Sequence, residues 1–401
     1  MSADSTTLKQ SMPGPKGSGI FNAFMSWWGH YPVTQFAVLI GLLAIFWAMG
    51  SNTVQTMHRL GITPGFGFLH QSANFAIGES LIAYAPSDTF GRAALAGLLN
   101  TIAIALSGCV LATVVGVSLG IARLSGNFLL AGLVRWYVEV VRNTPLLLQL
   151  FFWSAVTHAF PAPRQAFNPF GVIFLSNRGI SVPSLRVEGL SISAVVLSIL
   201  IVFAAALSLA RYRTGKPIER IGPWGVVFLA LLGFVVAFLF GGAQANIDVP
   251  ALRGFNITGG LNLTPEFAAL LIGLVVNSSA TIAEIVRSGI QSVPAGQWEA
   301  ARSLGLQPGK IMRLVILPQA LRVIIPLMTS SYLDLTKNSS LAVAIGFPDL
   351  VSVLNTTANQ SGQVLEALAI IVVSYLTLNL AVSAIMNRYN QRIESRGFLP
   401  R

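Results

Sequence analysis

Charge is scarce in this chain. Asp, Glu, Lys and Arg make up 10% of 401 residues and hydrophobic residues 54%, a balance that excludes an ordinary water-soluble globule. Cysteine is nearly absent: Cys109 stands alone, so an intrachain disulfide and a cysteine metal cluster are both excluded. The four histidines, His30, His58, His70 and His158, show no metal-ligand spacing. A phosphate-binding loop is also missing, because Gly215-Lys216 is followed by Pro217 and Gly309-Lys310 by Ile311 where the loop needs Ser or Thr. No serine nucleophile elbow is present. Chemistry driven by this chain alone is therefore not expected, and no cofactor is expected on it.

What the chain has in abundance is long apolar runs, several approaching the ~20 residues that cross a bilayer. Eight spans are predicted, at about 33–50, 93–120, 131–157, 190–210, 223–241, 266–286, 320–345 and 364–386. The reading is an all-α polytopic membrane protein. Residues 1–32 form a polar tail, 33–50 an accessory span, 51–92 an outward loop, and 93–388 the main transmembrane domain with an insertion at about 158–264. A tail of 389–401 follows. Apolar residues of the 51–92 loop, Phe66, Phe68 and Leu69, are expected on the membrane surface. The net charge of +11 is explained by topology. With both termini on one side, that side carries sixteen cations, against six on the other: Arg59, Arg92, Arg164, Arg178, Arg186 and Arg253. The positive-inside rule then places both termini in the cytoplasm and leaves nucleic acid no part in the account.

Between the sixth and seventh spans lies a charged, glycine-broken segment at 294–318, predicted to be a cytoplasmic helical hairpin. Pro294 suits a helix start, Trp298 to Leu304 are good helix formers, and Gly305 sits where a left-handed cap ends them. Pro308 and Gly309 make the turn to a second short helix, which Pro318 is expected to stop or bend. Ala300 and Ala301 thin one face of the first helix. Glu299 and Arg302, three apart, lie side by side. A docking face and an ordinary polar loop both remain compatible with this composition.

Polar residues inside spans are costly and face a pathway or a partner. Glu139 with Arg142, Glu284 with Arg287, and Asp334 with Lys337 are each three apart, a spacing that permits self-neutralisation on one helix face. The first two pairs are expected near cytoplasmic ends. Asp334 and Lys337 lie within the seventh span and are followed by Asn338, Ser339 and Ser340, while the sixth span offers Asn277, Ser278, Ser279 and Thr281. Translocation route and interhelical glue stay open for both sets. For Gly116 and Gly120, close helix packing is the preferred reading.

These features together resemble the permease subunits of ATP-binding-cassette importers, in the polar amino acid (HisM/HisQ-like) group. The resemblance rests on AEIVRSGIQSVPAGQWEAARSLGL, VILPQALRVIIPL and LTKNSSLAVAIG within 272–345, and on YVEVVRNTPLLLQL at 137–150. The EAA motif matches at Glu299, Ala300, Ala301, Gly305, Val315, Leu317 and Pro318, with Arg302 inside it. The upstream signature matches at Arg142, Thr144, Pro145 and Gln149, with Glu139 just before them. Eight spans and 401 residues resemble the larger permease of general L-amino acid systems, the AapQ or BztB type.

The resemblance implies a type I importer (MetI-like) core of five helices, preceded by one extra helix and interrupted by two. It implies alternating access, with the hairpin coupling the spans to two ATPase subunits that hold ATP and Mg. A second homologous permease and a periplasmic amino acid binding protein complete the expected partners, in the bacterial inner membrane. An ion-coupled secondary transporter is the alternative; it calls for intramembrane acids and symmetric halves, and this chain shows no repeat.

Overall fold

The computed structural model describes residues 32–59, 61, 65–169, 171–188 and 244–395. The predicted spans at 190–210 and 223–241 and the 1–31 tail lie outside the described residues. Two compact units are present, Met1–Phe66 and Gly67–Arg401. The first contributes helix α1, Pro32–Arg59, whose apolar stretch Val33–Thr56 is long enough to cross a membrane. It outruns the predicted end at 50 by more than two turns.

The second unit holds the other spans. Helix α2 is Phe90–Arg123, started by the Thr89 side chain accepting from Arg92 N at 3.3 Å. Helices α3 (Phe128–Asn143) and α4 (Leu146–His158) follow, then a set of short strands, then α5 (Pro265–Gln291). Thr264 caps α5 and Pro265 opens it, the position where a missing N–H is harmless. Next come α6 (Ala295–Ser303) and α7 (Pro308–Ile311), a π-helical turn at Met312–Ile316, and α8 (Leu317–Asn338). A 3-10 segment (Ser339–Ile345), α9 (Leu350–Ser361) and α10 (Val364–Ser395) complete the chain.

Two predicted elements differ from the structure. The third span, expected unbroken over 131–157, is split into α3 and α4 at Thr144-Pro145. Proline disfavours the helical region for the residue before it, and Thr144 is extended at φ −99°, ψ 126°. Pro318 does not stop the helix. The second hairpin helix runs on through the π turn into α8, so that Pro308–Ile345 forms one apolar element. Leu317 N bonds back to Met312 O across five residues, and in this widened turn the N–H that Pro318 lacks is not missed.

Apart from a 3-10 turn at Pro163–Gln165, the insertion's described secondary structure is extended. Strands β1 (Phe174–Ser176), β2 (Gly179–Val182) and β7 (Leu261–Leu263) form an antiparallel sheet in the order β1-β2-β7. Strand β3 (Ser184–Glu188) pairs with β4 (Gln244–Asp248), and β5 (Ala251–Arg253) with β6 (Asn256–Thr258). Gly259 and Gly260, both at positive φ, fold the β5–β6 hairpin against Asp248, Pro250 and Val182 with no room for a Cβ. This platform joins the end of α4 to the start of α5. The hairpin follows the other end of α5, about 40 Å away along 27 residues.

Packing is closest between α2 and α5. A Cβ on Gly116 would lie 2.6 Å from Ile282 Cβ, and one on Gly120 2.8 Å from Val286 Cβ, which confirms these glycines as sites of helix approach. Phe68 and Leu69, expected on the membrane surface, instead pack inside the protein. Phe68 is 4% exposed, with its ring centroid 6.1 Å from that of Phe90.

Candidate functional site

The 294–318 hairpin closes as its glycine predicts. Gly305 adopts φ +71° and its N–H reaches Arg302 O at 2.8 Å, while Leu306 N reaches Ala301 O at 3.3 Å. The pattern is a left-handed helix cap. Ala301 is buried, and with Val293, Ile311 and Ile316 it joins one apolar cluster that continues into Ile282 and Val286 of α5, Ile324 of α8 and Ala112 of α2. Gly289 of α5 lets Ile324 approach so closely that no side chain fits there. The hairpin and three spans therefore form one apolar body. The two alanines differ: Ala301 points into this body, and Ala300 is exposed. Beside Ala300, the surfaces of Glu299, Arg302 and Leu304 are exposed, Leu304 at 79%. No ion pair joins Glu299 to Arg302 among the described residues. Leu317 and Pro318 are exposed at the start of α8. Sequence reasoning passed over Leu304, although an apolar residue just before a capping glycine in a polar hairpin was a visible signal.

At the broken span, the signature residues build the break and hold it. Pro145 imposes it, Thr144 Oγ1 donates to Val140 O at 2.8 Å, and Gln149 reaches back across it. Gln149 Nε2 donates to Val141 O at 2.9 Å and Thr144 O at 3.0 Å, satisfying carbonyls that a straight helix would have paired. The expected Glu139–Arg142 pair does not form. Glu139 takes Arg135 instead, at 2.9 Å one helical turn away, and Arg142 has no ion-pair partner among the described residues. The expected Glu284–Arg287 pair does form, and Arg123 from the end of α2 binds the same carboxylate. These groups open onto a cleft of about 300 Å³ lined by Arg123, Val138, Glu139, Arg142, Asn143 and Glu284. Glu139 and Arg142 thus share a cleft with Arg123, the last residue of α2.

The polar sets on α5 and α8 part company. Asn277, Thr281 and Glu284 follow one another at helical spacing on a half-exposed stripe of α5, whereas Ser278 is buried and Ser279 bonds Tyr137 Oη at 2.9 Å. Ser279 is therefore interhelical glue. On α8, Asp334 and Lys337 share an exposed face with Ser330 and form no pair with each other among the described residues. Asn338 is half-buried. Ser339, expected on the same polar face, is fully buried and donates to Thr336 O at 2.7 Å, because the 3-10 turn rotates it inward.

At the far ends of the spans, a loop before α2 closes over α5 and α9. Asn100 Nδ2 donates to Glu79 O at 2.8 Å and to Pro348 O at 2.9 Å, while Thr264 Oγ1 donates to the Glu79 carboxylate. Burial, aided by the neighbouring Glu266 charge, raises the Glu79 pKa against the lowering effect of Thr264. Glu79 and Glu266 line an outer cleft of about 340 Å³. Deeper lies Asp349, fully buried beyond the end of the apolar Pro308–Ile345 element. It caps α9 by accepting from Ser352 N at 2.8 Å and accepts a longer bond from Tyr375 Oη at 3.4 Å.

A multi-span helical body with an apolar-anchored, solvent-facing hairpin defines a membrane permease. The chain belongs to the family of binding-protein-dependent transport system inner membrane components, whose model matches residues 112–395. It is thus a multipass inner-membrane protein, and among the described residues five helices are long and apolar enough to cross a membrane: those holding Val33–Thr56, Phe90–Arg123, Pro265–Gln291, Pro308–Ile345 and Val364–Gln391. It is 46% identical over 367 residues to YhdX of Escherichia coli (strain K12), named as an amino-acid ABC transporter permease, covering 90% of this chain and 93% of that one. It is 40% identical over 395 residues to the general L-amino acid transport system permease protein AapQ of Rhizobium johnstonii, covering 96% and 95%. GlnM of Bacillus subtilis (strain 168), an ABC transporter permease, is 31% identical over 205 residues, 50% of this chain but 88% of its own length.

Proposed function

We propose that this chain is the membrane-spanning subunit of an ATP-driven importer of L-amino acids. Two ATPase subunits dock on α6, and a soluble binding protein delivers substrate at the opposite face. One observation carries the reading. The hairpin is packed into a single apolar body with α2, α5 and α8, yet turns Glu299, Ala300, Arg302 and Leu304 to solvent. A surface loop needs no such anchorage, whereas a coupler that passes motor movement into spans does. Amino acids as cargo rest on the names of YhdX and AapQ. The distribution of cations favours a cytoplasmic hairpin and cytoplasmic termini.

Charged groups left open within a span are costly unless a watery route or a protein partner faces them. The exposed Asp334 and Lys337 face of α8 and the Asn277, Thr281 and Glu284 stripe of α5 therefore border the pathway, which a second, homologous permease completes. This chain holds no cofactor, and ATP and Mg reside on the ATPase pair. The test is isolation of the tagged chain from its native membrane in mild detergent, with partners identified by mass spectrometry. Recovery of an ATPase and a second permease is expected. Recovery of this chain alone, competent for ion-driven uptake in vesicles, overturns the proposal.

A further inference from the structure

The insertion between α4 and α5 builds a surface that the permease core does not need. GlnM matches over 88% of its own length yet reaches only half of this chain, so a permease of this family can be far shorter than this one. The described platform carries large apolar side chains in the open: Phe255 is 73% exposed, Ile247 70% and Leu252 44%. The Arg164 guanidinium lies over the Phe255 ring, 3.4 Å from its centroid, and Arg178 and Arg253 are also exposed. Among side chains described in the two strand-bearing stretches, Asp248 is the one acid set against these three arginines. An exposed aromatic ring bearing a stacked arginine, amid further apolar and basic groups, has the composition of an interface hot spot.

Placement selects the occupant. The platform sits at the opposite end of α5 from the hairpin, adjoining the ends of α4 and α5. Anything that brings substrate to that end of the spans meets it. A lipid surface suits it poorly, since the β5–β6 hairpin is a two-stranded ribbon whose outer edges need water or protein partners. We propose that this β platform is the docking surface for the soluble substrate-binding protein, gripping an acidic rim with Arg164, Arg178 and Arg253 around an apolar centre at Phe255. The proposal rests on the importer reading.

Two photo-crosslinking variants in intact cells separate the two ideas: Phe255→p-benzoyl-phenylalanine on the platform and Ala300→p-benzoyl-phenylalanine on the hairpin. The expected result is a soluble periplasmic binding protein captured at 255 and an ATPase at 300. Capture of the ATPase at 300 with only lipid, or a second copy of this chain, at 255 overturns the docking surface and leaves the importer intact. No ATPase at 300 removes the reading on which it stands. The captured binding protein, purified and loaded, is then titrated against the complete transporter in nanodiscs. Arg164→Glu and, separately, Arg253→Glu should raise its half-saturating concentration for ATPase stimulation at least tenfold, an effect that weakens in high salt, with the maximal rate retained. Unchanged half-saturation in both variants overturns the proposal.

Discussion

At Gly305 the demand is for backbone, not space. A Cβ there would meet nothing within 4 Å, but the φ of +71° costs a β-branched residue on the order of 1–2 kcal/mol. Gly305→Val is therefore expected to fray the hairpin and reduce uptake several-fold, Gly305→Asn to be tolerated, and ATPase subunits to co-purify less well only with the first. Transport by Glu299→Lys should fall at least tenfold with the subunit still inserted, since its carboxylate is exposed on the proposed docking face and carries no described internal contact. Asp349 presents the opposite case, a carboxyl without solvent. Burial pushes its pKa up from 3.8 to about 6, against the lowering effect of the Ser352 and Val351 amides and of Tyr375. A folded-state pKa above the unfolded one gives stability that is present below about pH 4 and lost as pH rises through about 6. The loss is on the order of 3 kcal/mol. Thermal unfolding of the purified protein should show this slope. Asp349→Asn, which keeps a capping oxygen, should flatten it.

Helix α3 and helix α4 show what sequence patterning leaves out. Apolar length located the span, and the signature around Pro145 was visible, yet hydropathy cannot distinguish a straight crossing from one broken at its middle. That distinction lies in Gln149, whose amide pairs two carbonyls across the break. Gln149→Leu should cost about 1–3 kcal/mol by leaving Thr144 O unpaired, measurable as a lower unfolding temperature in detergent; Gln149→Glu, whose carboxylate cannot donate to a carbonyl, should not restore it. The glycine cap at 305 and the α2–α5 contacts at Gly116 and Gly120 were legible because each depends on local backbone or on helical spacing. The reassignment of Glu139 to Arg135 was not, since i+3 and i+4 partners compete on equal sequence terms. Strands of three to five residues in the insertion escaped for a related reason. They are too short for an alternating pattern to rise above their surroundings.

Taken end to end, the second unit presents a coupling hairpin and a β platform at the two ends of α5, and this polarity is testable directly. With Cys109 replaced by Ala, a cysteine introduced at Gln297 should react with a membrane-impermeant maleimide only in inside-out vesicles, and one at Arg253 only in intact spheroplasts. Labelling of both from one side would falsify the proposed topology. The π turn at Met312–Ile316 gives this arrangement a further property. It amounts to one surplus residue inside an otherwise continuous rod, an offset of about 100° of rotation and 1.5 Å of rise. Excising a single residue there would shorten the run between Gly305 and Pro318 by one and would re-aim the face that Pro308–Ile311 shows to its surroundings by more than a quarter turn. The phase between hairpin and span is therefore written as an insertion, and a one-codon deletion is enough to put the two out of step.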